Sequence, residues 1–137
     1  MAIKIRTEEY IESLKENEIF VFGSNLAGIH GAGAAKTALK FGAVYSKGEG
    51  LYGNTYAIPT KDAEIETLPL VEIDKHIAKF KECVLKNPDK MFLLTAIGCG
   101  LAGYKNSDIF PLFCKNGILN LPNISFPYEW KDLIDNN

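Results

Sequence analysis

The chain has 137 residues, the size of one domain, and 47% of them are hydrophobic while 23% are charged. These proportions exclude a wholly disordered chain. Fifteen basic and seventeen acidic side chains leave a net charge of −2, whereas proteins that bind duplex nucleic acid carry a strong basic excess. We therefore expect residues 1–137 to form a single domain with no duplex nucleic acid among its partners.

Localisation and cofactors are predicted from what the sequence lacks. No apolar run approaches the roughly 20 residues that cross a bilayer, and residues 1–6 do not open a secretory signal. Cys83, Cys99 and Cys114 form no C-x-x-C pair and have no histidine at zinc spacing. The sequence predicts a cytoplasmic protein with free thiols, no membrane partner, no metal and no cofactor, and it leaves the oligomeric state open.

A helix is predicted from Thr7 to Asn17. Thr7 suits the N-cap position, two glutamates follow it in the first turn, and Ile11 and Leu14 share an apolar face. The next element is a strand, Ile19–Phe22. Its unbroken apolar character is typical of a strand that is buried on both faces of a parallel sheet.

A glycine-rich loop and a helix follow this strand. The loop covers residues 24–33, and the helix runs from Ala34 to Phe41. Glycines recur too often between residues 42 and 54 for a regular element, so we expect a loop or a loose hairpin there. Thr55–Ile58 is predicted as a strand that Pro59 stops.

The second half of the chain continues the alternation of helix and strand. The helix from Leu68 to Lys86 has one continuous apolar face. A strand at Met91–Ala96, a second glycine-rich loop at 97–104, a helix near 107–113 and a strand near 123–126 complete the pattern. This alternation predicts an α/β fold with a mostly parallel central sheet between helices, which is a three-layer α/β/α sandwich.

Both glycine-rich loops follow a buried strand and precede a helix. The carboxyl ends of parallel strands meet at one edge of a sheet, where ligands bind in open α/β folds. Backbone N–H groups of such loops can approach an anion closely. Two loops at one edge therefore favour a phosphate-containing ligand such as a nucleotide; the alternative is that the glycines only permit tight turns. Neither loop matches the P-loop or the dinucleotide-binding motif.

Three polar side chains near these loops are weak candidates for catalysis, and each has an ordinary structural alternative. Asn25 directly follows the first buried strand, where it either contacts a sugar hydroxyl or starts an Asx turn. His30 either acts as an acid or base or faces solvent. Asp62, next to Lys61, either binds a phosphate or orients a water, or else it belongs to a solvated turn with an exposed ion pair.

Cys99 and two tyrosines complete the set of candidates. Cys99 lies between two glycines, close to a helix start that would lower its pKa, but no histidine is placed beside it to support a nucleophile. Tyr52 and Tyr104 are candidate stacking surfaces for a base or a ribose, and packing residues otherwise.

The two loops together resemble those of the macro domains, which are α/β modules that bind ADP-ribose and, in some members, hydrolyse ADP-ribose linkages. Val21–Asn25 is similar to the strand that ends in the family's Asn-Ala-Ala-Asn stretch, with Asn25 on its last Asn. Gly31–Ala35 is similar to the family's Gly-Gly-Gly run, and Ile97–Tyr104 to its second loop. Phe20–Asn25 and Tyr56–Asp62 resemble, more narrowly, a compact macro-domain-like group of bacteria and bacteriophages.

The resemblance implies a ligand and a set of contacts. Asn25 would contact the distal ribose of ADP-ribose, the loop from Gly31 to Ala34 would line that ribose and its phosphate, and the loop from Gly98 to Tyr104 would hold the diphosphate. The implied ligand-binding residues are Gly23, Ser24, Asn25, Gly31, Ala32, Gly33, Ala34, Gly98, Cys99, Gly100, Leu101, Ala102, Gly103 and Tyr104.

Three hypotheses for the function result. The first is a module that binds ADP-ribose or a related nucleotide-sugar through the two loops. The second is an ADP-ribosyl hydrolase on the same scaffold, which removes ADP-ribose from a macromolecule or deacetylates O-acetyl-ADP-ribose. The third is an interaction protein whose loops are structural and which binds no nucleotide.

Overall fold

A six-stranded sheet lies at the centre of the structure, a computed structural model that describes residues 3–6, 10–99 and 102–137. The strands are β1 (Lys4–Ile5), β2 (Glu18–Asn25), β3 (Gly50–Tyr52), β4 (Thr55–Lys61), β5 (Met91–Leu94) and β6 (Ile124–Phe126). The helices are α1 (Gly33–Ala38), α2 (Leu70–Lys86), α3 (Asn106–Lys115) and α4 (Lys131–Asp135), with 3₁₀ turns at Leu39–Phe41 and Tyr128–Trp130. Within these described ranges, no helix has the length and apolar character needed to cross a membrane.

The sheet is almost entirely parallel. Its strand order is β1-β6-β5-β2-β4-β3, and only the pair β3–β4 is antiparallel. The predicted α/β class with a mostly parallel sheet is therefore confirmed. The antiparallel pair is a hairpin, which is one of the two alternatives that the glycine-rich sequence between residues 42 and 54 allowed.

β2 is a central strand with buried side chains on both faces. It pairs in parallel with β4 on one side and with β5 on the other. Ile19 and Val21 enter one apolar cluster, whereas Phe20 and Phe22 enter a second. Successive side chains of a strand point to opposite faces of the sheet, which explains why the four consecutive residues 19–22 are all apolar.

The larger cluster lies beneath α2 and α3. The apolar face predicted for α2 is confirmed, because its residues Ile73, Ile77, Phe80 and Val84 are fully buried. Trp130, near the end of the chain, is also fully buried, and its indole ring stacks on Phe126 with 6.1 Å between centroids. The smaller cluster lies on the other face of the sheet, where α1 contributes Ala38.

The helix expected from Thr7 to Asn17 is wrong where the structure describes it. Residues 10–15 have no regular structure, and residues 7–9 lie outside the described residues. Ile11 and Leu14 do pack against the smaller cluster. A turn follows, in which the Glu18 N–H donates to the Lys15 carbonyl at 3.0 Å. Apolar residues three positions apart can thus be partly buried by an irregular segment that packs against a cluster on the sheet.

Pro59 does not stop its strand, contrary to expectation. β4 continues to Lys61, and Pro59 is in register with Ser24 of β2. The register shifts immediately afterwards, between Ser24 and Asn25, while β3 pairs only with the first three residues of β4. A residue without an N–H is tolerated at such irregular or edge positions.

The ends of several other elements differ from the prediction. β2 extends through Gly23 to Asn25, and α3 is longer than expected and contains Pro111. β1 and α4 were not anticipated. β1 is only two residues long, which gives too short a pattern to recognise, yet it completes the sheet by pairing with β6.

The loop between α1 and β3 packs closely on the loop that follows β2. The Ser24 hydroxyl donates to the Gly48 carbonyl, and the Ser46 N–H donates to the Gly28 carbonyl at 2.9 Å. A Cβ atom on Gly48 would lie 1.9 Å from the Asn25 carbonyl oxygen. Only glycine fits there, since backbone rather than a flexible side chain occupies the space.

Gly48→Ala is expected to destabilise the fold by about 1–3 kcal/mol, because the added methyl overpacks two loops that cannot separate cheaply. Gly31→Ala is the matched control, as a Cβ on Gly31 meets nothing within 4 Å; its stability should stay within about 0.5 kcal/mol of wild type. Urea unfolding of both variants measures the difference. Equal midpoints would show that the two loops are not closely packed in solution.

Candidate functional site

A cleft of about 900 Å³ runs along the carboxyl edge of the sheet. It is lined by residues at the ends of five parallel strands: Arg6 after β1, Asn25 in β2, Lys61 in β4, Thr95 after β5 and Pro127 after β6. Five neighbouring strands, each about 4.8 Å apart, span roughly 20 Å. The cleft is therefore long enough for an extended ligand.

Most of the ligand-binding residues implied by the family resemblance line this cleft. They are Gly23, Ser24, Asn25, Gly31, Ala32, Gly33, Ala34, Gly98, Cys99 and Ala102. Gly103 and Tyr104 are not among the lining residues, while Gly100 and Leu101 lie outside the described residues. The structure thus brings both glycine-rich loops to one cleft, and their role in binding stays a prediction.

Gly31 and Gly33 have open space where a side chain would be. A Cβ atom on either glycine meets no atom within 4 Å, although both residues line the cleft. Gly33 has a φ of +59°, which by itself favours glycine. Gly31 does not have a positive φ. Neither packing nor backbone conformation therefore explains why this position is a glycine.

Asn25 performs the structural role that the sequence left open. Its side-chain Nδ2 donates to the Ile29 carbonyl at 2.8 Å, and the Ile29 N–H donates to its Oδ1 at 2.9 Å. The carboxamide therefore closes the turn that begins the first loop. It is buried, yet it still lines the cleft.

His30 does not face solvent as the structural alternative supposed. It is 1% exposed, and its Nε2 lies 3.0 Å from the Val44 carbonyl and 3.2 Å from the Lys47 carbonyl. Since both neighbours are acceptors, Nε2 carries the proton. The imidazole is not among the cleft-lining residues, so it holds the loop before β3 against the first glycine-rich loop.

Asp62 organises the turn after β4. Its Oδ1 accepts hydrogen bonds from the N–H groups of Glu64 at 2.9 Å and Glu66 at 3.0 Å. The Asp62 N–H donates in turn to the Glu66 carbonyl at 2.8 Å. Asp62 itself does not line the cleft, whereas the neighbouring Lys61 does. The turn that the sequence offered as an alternative is present, but Asp62 bonds with backbone N–H groups and, within the described part of the chain, forms no ion pair with Lys61.

The helix start near Cys99 does not lower the pKa of its thiol, and the sequence already argued against a nucleophile at this position. Burial raises the pKa of this thiol to about 11, and the carboxylates of Asp108 and Glu129 add to the effect. The Cys99 Sγ donates to the Ile97 carbonyl at 3.3 Å. Because the thiolate is disfavoured, the structure gives this residue no character of a nucleophile.

The two candidate tyrosines lie away from the cleft lining. The Tyr104 hydroxyl donates to the Leu68 carbonyl at 2.7 Å, which ties the second glycine-rich loop to the start of α2. Tyr52 is the last residue of β3, the edge strand beyond β4. Neither tyrosine is one of the described residues that line the cleft.

Sequence reasoning missed several cleft-lining residues that carry charge. The Arg6 Nη1 donates to the carbonyl and hydroxyl oxygens of Ser125 at 2.9 and 2.8 Å, and its Nη2 donates to the Leu94 carbonyl. Three cations and two carboxylates line the cleft, of which only Lys61 was singled out in the sequence: Arg6, Lys40, Lys61, Glu12 and Glu129. Arg6 reaches the cleft because β1 pairs with β6. These two strands lie near opposite ends of the chain, so no local sequence pattern indicates their pairing.

Two exposed isoleucines also line the cleft without having been anticipated. Ile29 is 48% exposed and Ile65 is 39% exposed. Exposed apolar residues are common on protein surfaces, and only their position in the fold distinguishes these two. Among the described residues, no group of three or more His, Cys, Asp or Glu side chains is placed to hold a metal ion.

Cys99 is expected to react with iodoacetamide at least about a hundredfold more slowly than an unperturbed thiol at pH 8. With a pKa of about 11, roughly one thiol in a thousand is ionised at pH 8, against about one in four for an unperturbed thiol. Peptide mapping by mass spectrometry measures the rate between pH 7 and pH 10, and the rate should still be rising at pH 10. Urea-unfolded protein is the control, and equal rates in the two states would contradict the burial of this thiol.

The chain was also compared with known proteins. A scan against models of protein families gave no match, and a search of curated proteins likewise gave no match.

Proposed function

We propose that this protein binds ADP-ribose or a related nucleotide-sugar in the cleft at the carboxyl edge of its sheet. The observation that carries the proposal is the convergence of two glycine-rich loops, one after β2 and one after β5, on a single cleft. The sequence predicts that both loops lie at one edge of the sheet, and this pairing is what favours a phosphate-containing ligand. Their meeting in one cleft supports a ligand with more than one polar group.

The size and charge of the cleft suit such a ligand. Its volume of about 900 Å³ lies within the range of small-molecule sites, and its length suits an extended molecule with a sugar at one end. Three cations against two carboxylates leave the lining with an excess of positive charge. A diphosphate is favoured by this excess without the need for a basic patch.

The open glycines give a physical reason for backbone contact. At Gly31 the protein itself leaves space for a side chain, so the space is available to a ligand that lies against the backbone. Backbone N–H groups that approach closely are well suited to phosphate and sugar oxygens. We assign the distal ribose and its phosphate to the loop at Gly31–Ala34, and the diphosphate to the part of the second loop that lines the cleft, at Gly98, Cys99 and Ala102.

The finer description of the fold belongs to the same proposal. With α2 and α3 over one apolar cluster and α1 at the other, we place the chain among three-layer α/β/α sandwiches of the macro-domain type. The resemblance of Val21–Asn25 and Ile97–Tyr104 to that family supports the assignment.

Binding is proposed in preference to hydrolysis because of where the candidate catalytic groups lie. Of Asn25, His30 and Asp62, only Asn25 lines the cleft, and its carboxamide already bonds with the backbone of Ile29. General acid–base catalysis needs a titratable group within hydrogen-bond reach of the reacting atoms. Neither His30 nor Asp62 lines the cleft, so neither of these two predicted candidates is placed for acid–base catalysis there.

Isothermal titration with ADP-ribose, ADP and AMP tests the proposal. ADP-ribose is expected to bind at least about tenfold more tightly than ADP, because only ADP-ribose supplies the terminal ribose. A rise in the thermal unfolding midpoint with ADP-ribose should accompany binding, since a ligand of the folded state stabilises it. If none of the three compounds binds or shifts the thermal unfolding midpoint, the proposal is wrong, and the result favours the hypothesis of an interaction protein that binds no nucleotide.

Gly31→Val is expected to weaken ADP-ribose binding at least about tenfold while leaving the unfolding midpoint near that of wild type. The branched side chain would occupy the space proposed for the ligand, and it meets no protein atom at its Cβ. Gly33→Val is less informative, because the φ of +59° strains valine whether or not a ligand binds.

Ala78→Val is the matched control for this substitution. Ala78 is exposed on α2 and does not line the cleft, so the added methyl groups should leave ADP-ribose binding unchanged. Normal binding by Gly31→Val would remove the first loop from the site.

A further inference from the structure

The turns that follow β2 and β4 each bring an isoleucine to the cleft. The two strands are neighbours, and Asn25 at the end of β2 is in register with Lys61 at the end of β4. The turns start side by side, as the Leu26 N–H donates to the Lys61 carbonyl at 3.0 Å. Ile29 and Ile65 each come four residues after these paired strand ends, and both line the cleft.

A side chain at the start of each turn fixes the position of its isoleucine. The Asn25 carboxamide bonds with both the N–H and the carbonyl of Ile29. The Asp62 carboxylate accepts from the N–H groups on either side of Ile65, at Glu64 and Glu66. The Ile65 N–H itself donates to the Asp62 carbonyl at 3.2 Å. In both turns, a side chain that bonds with nearby backbone groups holds the segment that carries the isoleucine.

The backbone of Ile65 is held in an unfavourable conformation. Its φ is +64°, in the left-handed region that β-branched residues rarely adopt. Asparagine or glycine would occupy this conformation more easily. The turn is tied down on its far side as well, because the Thr67 hydroxyl donates to the Ala102 carbonyl of the second glycine-rich loop at 2.9 Å. Strained residues that the surrounding structure enforces are concentrated at ligand-binding sites.

We infer that Ile29 and Ile65 form an apolar contact for the end of the ligand that lies beside Asn25. This inference rests on the proposed function, which assigns the terminal ribose of ADP-ribose to Gly31–Ala34, the part of the first loop that begins two residues after Ile29. The carbon face of the sugar ring contacts the two isoleucines, while its hydroxyl groups face the polar backbone of the first loop. The two isoleucines would therefore favour ligands with a sugar attached to the diphosphate, such as ADP-ribose, over ligands that end at the diphosphate, such as ADP.

The strain at Ile65 allows a test in which stability and affinity change in opposite ways. Ile65→Asn relieves the backbone and removes the apolar contact. Its thermal midpoint should equal or exceed that of wild type, while its affinity for ADP-ribose should fall roughly tenfold, the loss expected for one partly buried aliphatic side chain. Its affinity for ADP, which has no terminal ribose, should stay within about twofold of wild type.

Ile29→Ala provides an independent variant, since the bonds between Asn25 and the backbone of Ile29 do not involve the isoleucine side chain. It should show the same selective loss for ADP-ribose. Val71→Ala is the control, because Val71 is exposed on α2 and does not line the cleft. Its affinities for both compounds should match those of wild type.

The outcomes separate this inference from the proposed function. If wild type binds ADP-ribose and both isoleucine variants bind it normally, the inference is wrong and the proposed function stands. Equal losses for ADP-ribose and ADP would also overturn the inference, because the isoleucines would then act through loop structure. A lowered thermal unfolding midpoint for Ile65→Asn would also overturn the inference, because the substitution would then have destabilised the turn. If wild type binds neither compound, the proposed function fails and the inference fails with it.

Discussion

The burial of β2 on both faces is the constraint on which the rest of the structure depends. Its alternating side chains belong to two separate apolar clusters, so the chain must supply covering elements on both sides of the sheet. Its parallel pairing with β4 and β5 turns the carboxyl ends of all three strands to the same edge. The cleft is a consequence of that pairing, because every loop that lines it leaves the sheet at that edge.

Hydrophobic patterns within short sequence segments predicted the elements whose burial those patterns determine. The apolar face of α2 and the unbroken apolar run of β2 follow from burial alone, and both were recognised. The segment at 10–15 shows the limit of that reasoning, since Ile11 and Leu14 pack, partly buried, against the smaller cluster without forming a helix. Arg6 reaches the cleft only through the pairing of β1 with β6, and its bonds to Ser125 cross 119 positions of sequence.

The candidate site was partly predictable for a similar reason. Glycine-rich loops after buried strands are visible in a sequence, and both line the cleft. The roles of Asn25, His30 and Asp62 were left open because they depend on which atoms fold back onto them. In each case the partner is a backbone group, at Ile29, at Val44 and Lys47, and at Glu64 and Glu66. Ile65 was missed because isoleucine is a poor residue for its conformation, and residue type alone gives no sign of it.

The close packing of the loop before β3 has a consequence for how a ligand is received. Ser24, His30 and Gly48 join that loop to the first glycine-rich loop through buried contacts. One wall of the cleft is therefore preorganised, and its loss of conformational entropy takes place during folding and not during association. Flexible sites bind more weakly because they must order themselves around each ligand. For the ligand that we propose, a wall held by these contacts would lower the entropic cost of association.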